Sequence, residues 1–377
     1  MPKQQKAAWA EISTADIKYN INTIRSVVGK DKAVCGILKA DAYGHGIMGI
    51  RKFLGEQKLV NMIAVGKMSE LLQISSVKWE DDLKTLLLGG ADDLEIEDCL
   101  LNHKVKPEMT FFSVYSVSQF FRLYEIAERL GMCIKVHIRL DGWNSGMGIS
   151  YEDFLLKQDE FFSQDKVEVC GVYSHLYTSY SKDRIGIKKE LEGFDRMVKK
   201  IKPRYREKIT IHILNSALVF AFPEYAYDMV RVGTAMYGLP CGTDMELRPA
   251  LRICARIFDV RNIDKSVPLS YEPENNTTGI RRIARIFIGY WDNPLLLTQK
   301  DVRVKIRDRI FTLADDVCMD NLCIDVTGND DIEVGDEAVL LGESGVTVDE
   351  ILKRNGIKYV HSEWLCMTAG RLEKIYI

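Results

Sequence analysis

The segment Ala33-Val-Cys-Gly-Ile-Leu-Lys39-Ala-Asp-Ala-Tyr43-Gly-His-Gly46 runs from a short apolar, β-branched stretch into a lysine and then a glycine-punctuated turn. A continuous apolar run of that length reads as a strand buried on both faces, as in a parallel sheet. The pattern recurs at 62–67, 84–89, 108–114, 134–141, 167–175, 208–215 and 229–236, with helix-period segments between the runs. Thr14 can cap a helix whose apolar face is Ile17, Ile21, Ile24 and Val28, closed by Gly29. Ser116 with Gln119 makes a capping box ahead of Phe120, Leu123, Ala127 and Leu130, closed by Gly131. Eight strand–helix units in the first ~240 residues predict a (β/α)8 TIM barrel, whose chemistry belongs on the loops after the strands' C-terminal ends.

Beyond Pro240 the pattern changes to alternating strands without long helices, at 252–260, 284–290, 302–306, 323–326 and 338–341. The fold class expected is therefore α/β plus β. The barrel is placed at 11–243 and a mostly β domain at 244–377, with residues 1–10 packing on that second domain.

A formal net charge of -3, from 51 basic and 54 acidic residues with no basic block, offers no surface for nucleic acid or an anionic membrane. A small metabolite is the expected partner. Nine scattered cysteines with no C-x-x-C pair argue against a disulfide framework or structural zinc and for reduced thiols in the core. No stretch reaches the ~18 apolar residues of a spanning helix. Cytoplasmic location follows, either of the whole protein or of a domain cut from a membrane-bound one.

The residues just past the strands include Lys39, Asp41, Tyr43, Gly89, His175, Asn215, Ser216 and Arg231. An amine, hydroxyls, a histidine and an arginine, with carboxylates sparse, suit a phosphorylated aromatic aldehyde better than a metal. An arginine inside Met-Val-Arg231-Val-Gly faces a barrel interior, where its guanidinium needs partners. His137 and His212 read as strand-interior histidines, and His45 and His361 as surface or supporting residues.

The segment 33–46 closely resembles the cofactor-lysine motif of the alanine racemase family. The resemblance continues, in order and spacing, through Tyr173-Ser-His175, Asn215-Ser-Ala217, 230–238, Leu269-Ser-Tyr271, Ile288-Gly-Tyr290-Trp-Asp292 and Val317-Cys-Met-Asp320. It implies a homodimer of barrel plus β domain, each active site completed by the partner. It implies pyridoxal 5'-phosphate carried by Lys39, and proton exchange at the substrate's α-carbon by Lys39 on one face and Tyr271 of the second copy on the other. Arg231 would bond the pyridine nitrogen, and His175 would lie against the ring. Tyr43, Asn215, Ser216, Gly233, Thr234 and Tyr237 would hold the cofactor, mostly at its phosphate. Met319 and Asp320 of the second copy would meet the substrate carboxylate.

Three departures from the family pattern stand out, the first of them a pair of positions. A fifth-strand lysine, often carbamylated in the family, is Arg139 here, and the arginine that follows it in the family is Gly146 or Ile149 by register. Arg139 is expected to extend its own guanidinium into the vacated space and meet the substrate carboxylate. Ser362 stands where the family has a pocket-lining tyrosine, which predicts more room, a polar contact and use of serine as well as alanine. Serine-favouring relatives are the racemase domains of vancomycin-resistance proteins. Asn293 replaces a glycine and is expected to tolerate positive φ. Two rivals stay open: a basic amino-acid decarboxylase of the same barrel family, against which Arg231 argues, and a cofactor-binding relative without catalysis.

Overall fold

The computed structural model describes residues 6–142, 146–267, 269, 279–358, 360–368 and 370–377. After β1 (Ala8–Ile12), the predicted runs form β2 (Ala33–Ile37), β3 (Met62–Val65), β4 (Lys84–Leu87), β5 (Thr110–Val114), β6 (Ile134–Asp141), β8 (Val167–Tyr173), β9 (Thr210–His212) and β10 (Met229–Val232). A two-residue strand, β7 (Ile149–Ser150), pairs only with the end of β6. The barrel strands neighbour one another in the order β10-β2-β3-β4-β5-β6-β8-β9, all parallel. Asp228 N donates to Ile211 O at 3.1 Å and Arg231 N to Leu214 O at 3.0 Å, which brings β9 to β10 and nearly closes the ring.

Strand alternation decides what fills it. Cys35, Ile37, Met62, Ala64, Leu86, Phe111 and Met229 pack together inside, while Val34, Ile63, Val65 and Val230 join the layer shared with the helices. The helix Thr14–Val28 is capped one residue earlier than expected. Ser13 accepts from Asp16 N at 3.2 Å, while the Thr14 hydroxyl is drawn away to Ile377 O at 2.7 Å. The helix Val117–Leu130 uses Ser116 as its cap, but the Gln119 side chain reaches Tyr115 N rather than the cap residue's own N–H.

The second domain is built from β11 (Leu251–Asp264), β12 (Ile280–Ile286), β13 (Arg303–Ile306), β14 (Arg309–Thr312), β15 (Leu322–Asp325), β16 (Glu337–Leu341) and β17 (Glu373–Tyr376). The sheet order is β14-β13-β16-β11-β1-β17, and β12 pairs with the outer part of β11 and with β15. β1 lies antiparallel to β11 and parallel to β17, so strands from both ends of the described chain sit in this domain. The run predicted at 284–290 leaves the sheet at Ile286, because Gly289 N and Asp292 Oδ2 close a turn at 2.9 Å. Asn293 has φ -138 and caps Pro294–Thr298, so the positive φ allowed for there is not used. Two short helices, Val348–Asn355 and His361–Leu365, interrupt what the strand pattern alone suggested. Among the described residues no helix is long and apolar enough to cross a membrane.

Candidate active site

β2 ends at Ile37 and delivers Lys39 to the barrel mouth on an unusual turn. Ala40, Asp41, Ala42 and Tyr43 all have positive φ, between 52 and 56. Each non-glycine residue held there costs of order 1–2 kcal/mol, so the surroundings must over-determine the turn. They do so from three sides. The Glu70 carboxylate accepts from Ala40 N at 2.6 Å, Gly66 N at 2.7 Å and Lys67 N at 3.2 Å. Asp41 accepts from Ile47 N at 2.8 Å and pairs with Lys374 at 3.1 Å. From β17 the Tyr376 hydroxyl donates to His45 O at 2.9 Å. His45 is fully buried, stacked on Tyr237 at 4.2 Å, and burial pulls it down to about 4. It supports the turn from inside and is not a surface residue.

The cleft beside Lys39 has a volume of about 700 Å³, within the ~300–1,000 Å³ usual for cofactor and small-molecule sites. Its lining brings Lys39, Tyr43, Arg139, His175, Asn215, Ser216, Arg231, Gly233, Thr234 and Ser362 together, as the sequence reading expected. Ser362 arrives from the second domain on His361–Leu365.

One side is densely wired. Arg231 donates to Ser174 O at 2.8 Å, to His212 O at 3.1 Å and to His212 Nδ1 at 2.8 Å, with His175 Nδ1 at 3.5 Å. A guanidinium only donates, so His212 Nδ1 is an acceptor, its Nε2 carries the proton, and that proton goes to His137 Nδ1 at 2.9 Å. Burial and the Arg231 charge hold His212 well below its usual range and bring His137 and His175 to about 3, so all three rings are neutral. Burial also lowers Arg231 to about 10, which leaves it cationic at neutral pH. Of the strand-interior histidines, His212 thus helps backbone carbonyls to hold the buried arginine, and His137 backs it.

The β6 side is sparser. Arg139 donates from Nη2 to the Tyr177 hydroxyl at 2.8 Å and lies over the Tyr115 and Tyr177 rings at 5.4 and 5.7 Å. Its Nε has no partner, and no carboxylate pairs with it among the described residues. Gly146 is exposed and Ile149 is buried in β7.

Between these sides lies a cluster of hydroxyls and backbone N–H groups. Ser216 Oγ gathers Gly233 N at 3.0 Å and Ala235 N at 3.2 Å, and Thr234 Oγ1 lies 3.3 Å from the Tyr180 hydroxyl. A Cβ on Gly233 would come within 2.8 Å of the Tyr43 hydroxyl, so only glycine lets that hydroxyl approach the backbone there. Burial raises Tyr43, which keeps its proton and remains a donor.

Tyr237 was expected among the phosphate ligands. The structure places it behind the cleft, its hydroxyl donating to Ile37 O at 2.9 Å and its ring 5.4 Å from that of Tyr43. The Ile37 carbonyl offers an acceptor at bonding distance that a local motif could not reveal. Met319 and Asp320 do not line this chain's cleft. Both are exposed on the second domain, where Asp320 pairs with Arg371. Tyr271 lies outside the described residues. Sequence reasoning missed Glu70, Tyr115, Tyr177 and Tyr180. Only Glu70 had a signal, as the third residue of the helix Met68–Ser75 at the end of a strand.

The residues present fit pyridoxal phosphate. Glu70 is the only carboxylate in the described lining and is turned onto backbone N–H groups, which leaves Lys39, Arg139 and Arg231 facing a cleft suited to an anion. The sequence model of the alanine racemase N-terminal domain matches residues 12–240 and that of the C-terminal domain 250–376. Alanine racemase 2 of Caldanaerobacter subterraneus subsp. tengcongensis is 32% identical over 97% of this chain and 94% of its own length. The solved alanine racemase of Clostridium difficile 630 superposes with a TM-score of 0.88 at 29% identity, covering 99% of this chain and 96% of that one. That of Bartonella henselae, with covalently bound pyridoxal phosphate, shares the fold with a TM-score of 0.82 at 22% identity, covering 99% of this chain and 100% of that one. With both domains matched along nearly its whole length, this chain belongs to the alanine racemase family.

Proposed function

We propose that this protein is a pyridoxal-phosphate-dependent racemase that interconverts L- and D-alanine, with Lys39 as the cofactor-bearing lysine. When bound, the cofactor would supply an electron-withdrawing ring that acidifies the substrate's α-hydrogen. Lys39 then holds or delivers that proton on one face. Tyr271 of a second copy serves the opposite face, a role resting on the Leu-Ser-Tyr match. Two opposed acid–base groups are what inversion requires.

Arg231 is assigned to the ring nitrogen. It stays protonated through neutral pH, so it can bond an acceptor without giving up a proton. Neutral His175 packs beside it. Tyr43, Asn215, Ser216, Gly233 and Thr234 are assigned to the phosphate, and Tyr237 to bracing Tyr43. Arg139 takes the substrate carboxylate, with Met319 and Asp320 of a second copy. The exposure of those two on the second domain, away from their own cleft, supports a homodimer with shared sites. Nine free thiols support a reducing, cytoplasmic setting. Ser362 in the cleft lining supports serine as a second substrate, the preference of the vancomycin-resistance racemase domains.

The observation that carries this reading is Lys39, on its clamped left-handed turn, sharing one cleft with an Arg231 that, among the described residues, is held by neutral groups. Chiral chromatography of L-alanine and L-serine, incubated separately with protein and pyridoxal phosphate, tests it. D-Alanine formation that disappears in Lys39→Ala is expected. No D-alanine from cofactor-loaded protein refutes the racemase, and negligible D-serine refutes the role given to Ser362.

A further inference from the structure

The loop after β8 carries two tyrosines, Tyr180 in the cleft lining and Tyr177 on the side chain assigned to the substrate. Tyr177 opens the 3-10 turn Tyr177–Tyr180 and is 59% exposed, yet its hydroxyl is fully engaged. The oxygen accepts from Arg139 Nη2 at 2.8 Å, and the proton points to Met147 Sδ at 3.0 Å. The polarity is fixed, because a guanidinium has nothing to accept with. The loop is itself tied down, by Asn215 Nδ2 to Ser179 Oγ at 3.0 Å and by Thr178 Oγ1 to Glu190 at 2.9 Å.

Arginine reaches into a cleft on four rotatable bonds, and fixing them costs about 2 kcal/mol of rotamer freedom. Arg139 has no carboxylate to do that among the described residues. The faces of Tyr115 and Tyr177 confine its plane, but ring faces do not set its rotation within that plane. A directional hydrogen bond does. The Tyr177 oxygen takes one Nη2 proton, and with Nε buried an incoming carboxylate would meet the remaining Nη protons of this cleft-lining side chain.

We propose that Tyr177 is a positioning residue of the substrate site, holding the Arg139 guanidinium in the orientation that receives the substrate's carboxylate. This rests on the assignment of that carboxylate to Arg139 made above. Tyr177 acts through Arg139, so its contribution exists only while Arg139 is present.

A double-mutant cycle on the holoenzyme with Tyr177→Phe, Arg139→Ala and the pair tests this, reading KM and kcat for L-alanine and the inhibition constant of propionate. Propionate offers a carboxylate with no amine, so its binding reports the anion site without turnover. Tyr177→Phe is expected to raise KM and the propionate constant about 5–10-fold, the loss of one hydrogen bond to a charged group. kcat should stay within about twofold, the signature of a lost binding interaction. In the Arg139→Ala background the same substitution should change neither binding constant. The proposal is overturned if Tyr177→Phe binds propionate like wild type, or if it weakens Arg139→Ala further by the same factor. Arg139→Ala binding propionate as tightly as wild type would instead remove the Arg139 assignment, and the proposal with it.

Discussion

The two sides of the cleft each present a buried guanidinium, and they hold it in opposite ways. On the β9–β10 side Arg231 spends its donors on three backbone carbonyls and a neutral histidine, and that histidine passes the network on to His137 deeper in the barrel. On the β6 side Arg139 has a tyrosine hydroxyl, two ring faces and an unpartnered Nε. A cation whose bonds are satisfied within the protein is a fixed part of the site. One with few partners in the protein is the one proposed to meet the substrate carboxylate.

The widest gap should open between the alanine variants of the two arginines. Arg231→Ala leaves buried acceptors at Ser174, His212 and beyond without donors and should lower the unfolding free energy by about 2–4 kcal/mol, read from urea denaturation. Arg139→Ala should cost under ~1 kcal/mol while raising KM for alanine on the order of 100-fold, since a charged bond to substrate is lost. Equal destabilisation of the two would break the contrast.

Between the two sides, Glu70→Ala frees three backbone N–H groups around the Lys39 turn. About 1.5–2 kcal/mol of stability should go with it, along with a weaker hold on the cofactor, measurable by equilibrium dialysis. A Glu70→Ala variant as stable and as well loaded as wild type would mean the turn is held elsewhere.

The neutral histidines sharpen the picture of the wired side through pH. An unfolded histidine titrates near 6.5, while His212 in the folded protein is held well below that. Below pH ~6.5 the unfolded chain therefore binds the extra proton, so the stability is present above that pH and is lost as pH falls. His212→Gln should remove up to about 1.4 kcal/mol of that loss per pH unit, seen in urea midpoints between pH 6.5 and 5. An unchanged slope would mean that His212 is not held neutral.

The barrel was readable because its signal is local. Apolar runs such as Ala33–Ile37 and Met62–Val65 mark strands by composition alone, and strand alternation then forces Arg139, Tyr173, His212 and Arg231 toward the same interior. The gathering of the motif residues around one cleft was readable because they keep a fixed relation to those strand ends. What escaped was contact across long stretches of chain. Tyr177 meets Arg139 over 38 residues and Glu70 meets Ala40 over 30, with no periodicity to announce either. Tyr237 fell within a motif but turned to the Ile37 carbonyl instead of the cleft. The short helices of the second domain were hidden by length, since eight and five residues give too few turns to show a period.

The central claim is that Lys39 moves the α-proton of alanine in this cleft. Incubating L-alanine in deuterium oxide with the loaded wild-type protein and with Lys39→Ala, then separating enantiomers and weighing each by mass spectrometry, tests it directly. The expected result is D-alanine carrying deuterium at the α-carbon from wild type and none from the variant. D-Alanine formed by Lys39→Ala at the wild-type rate, or formed by wild type without deuterium at that carbon from the earliest times, would contradict it.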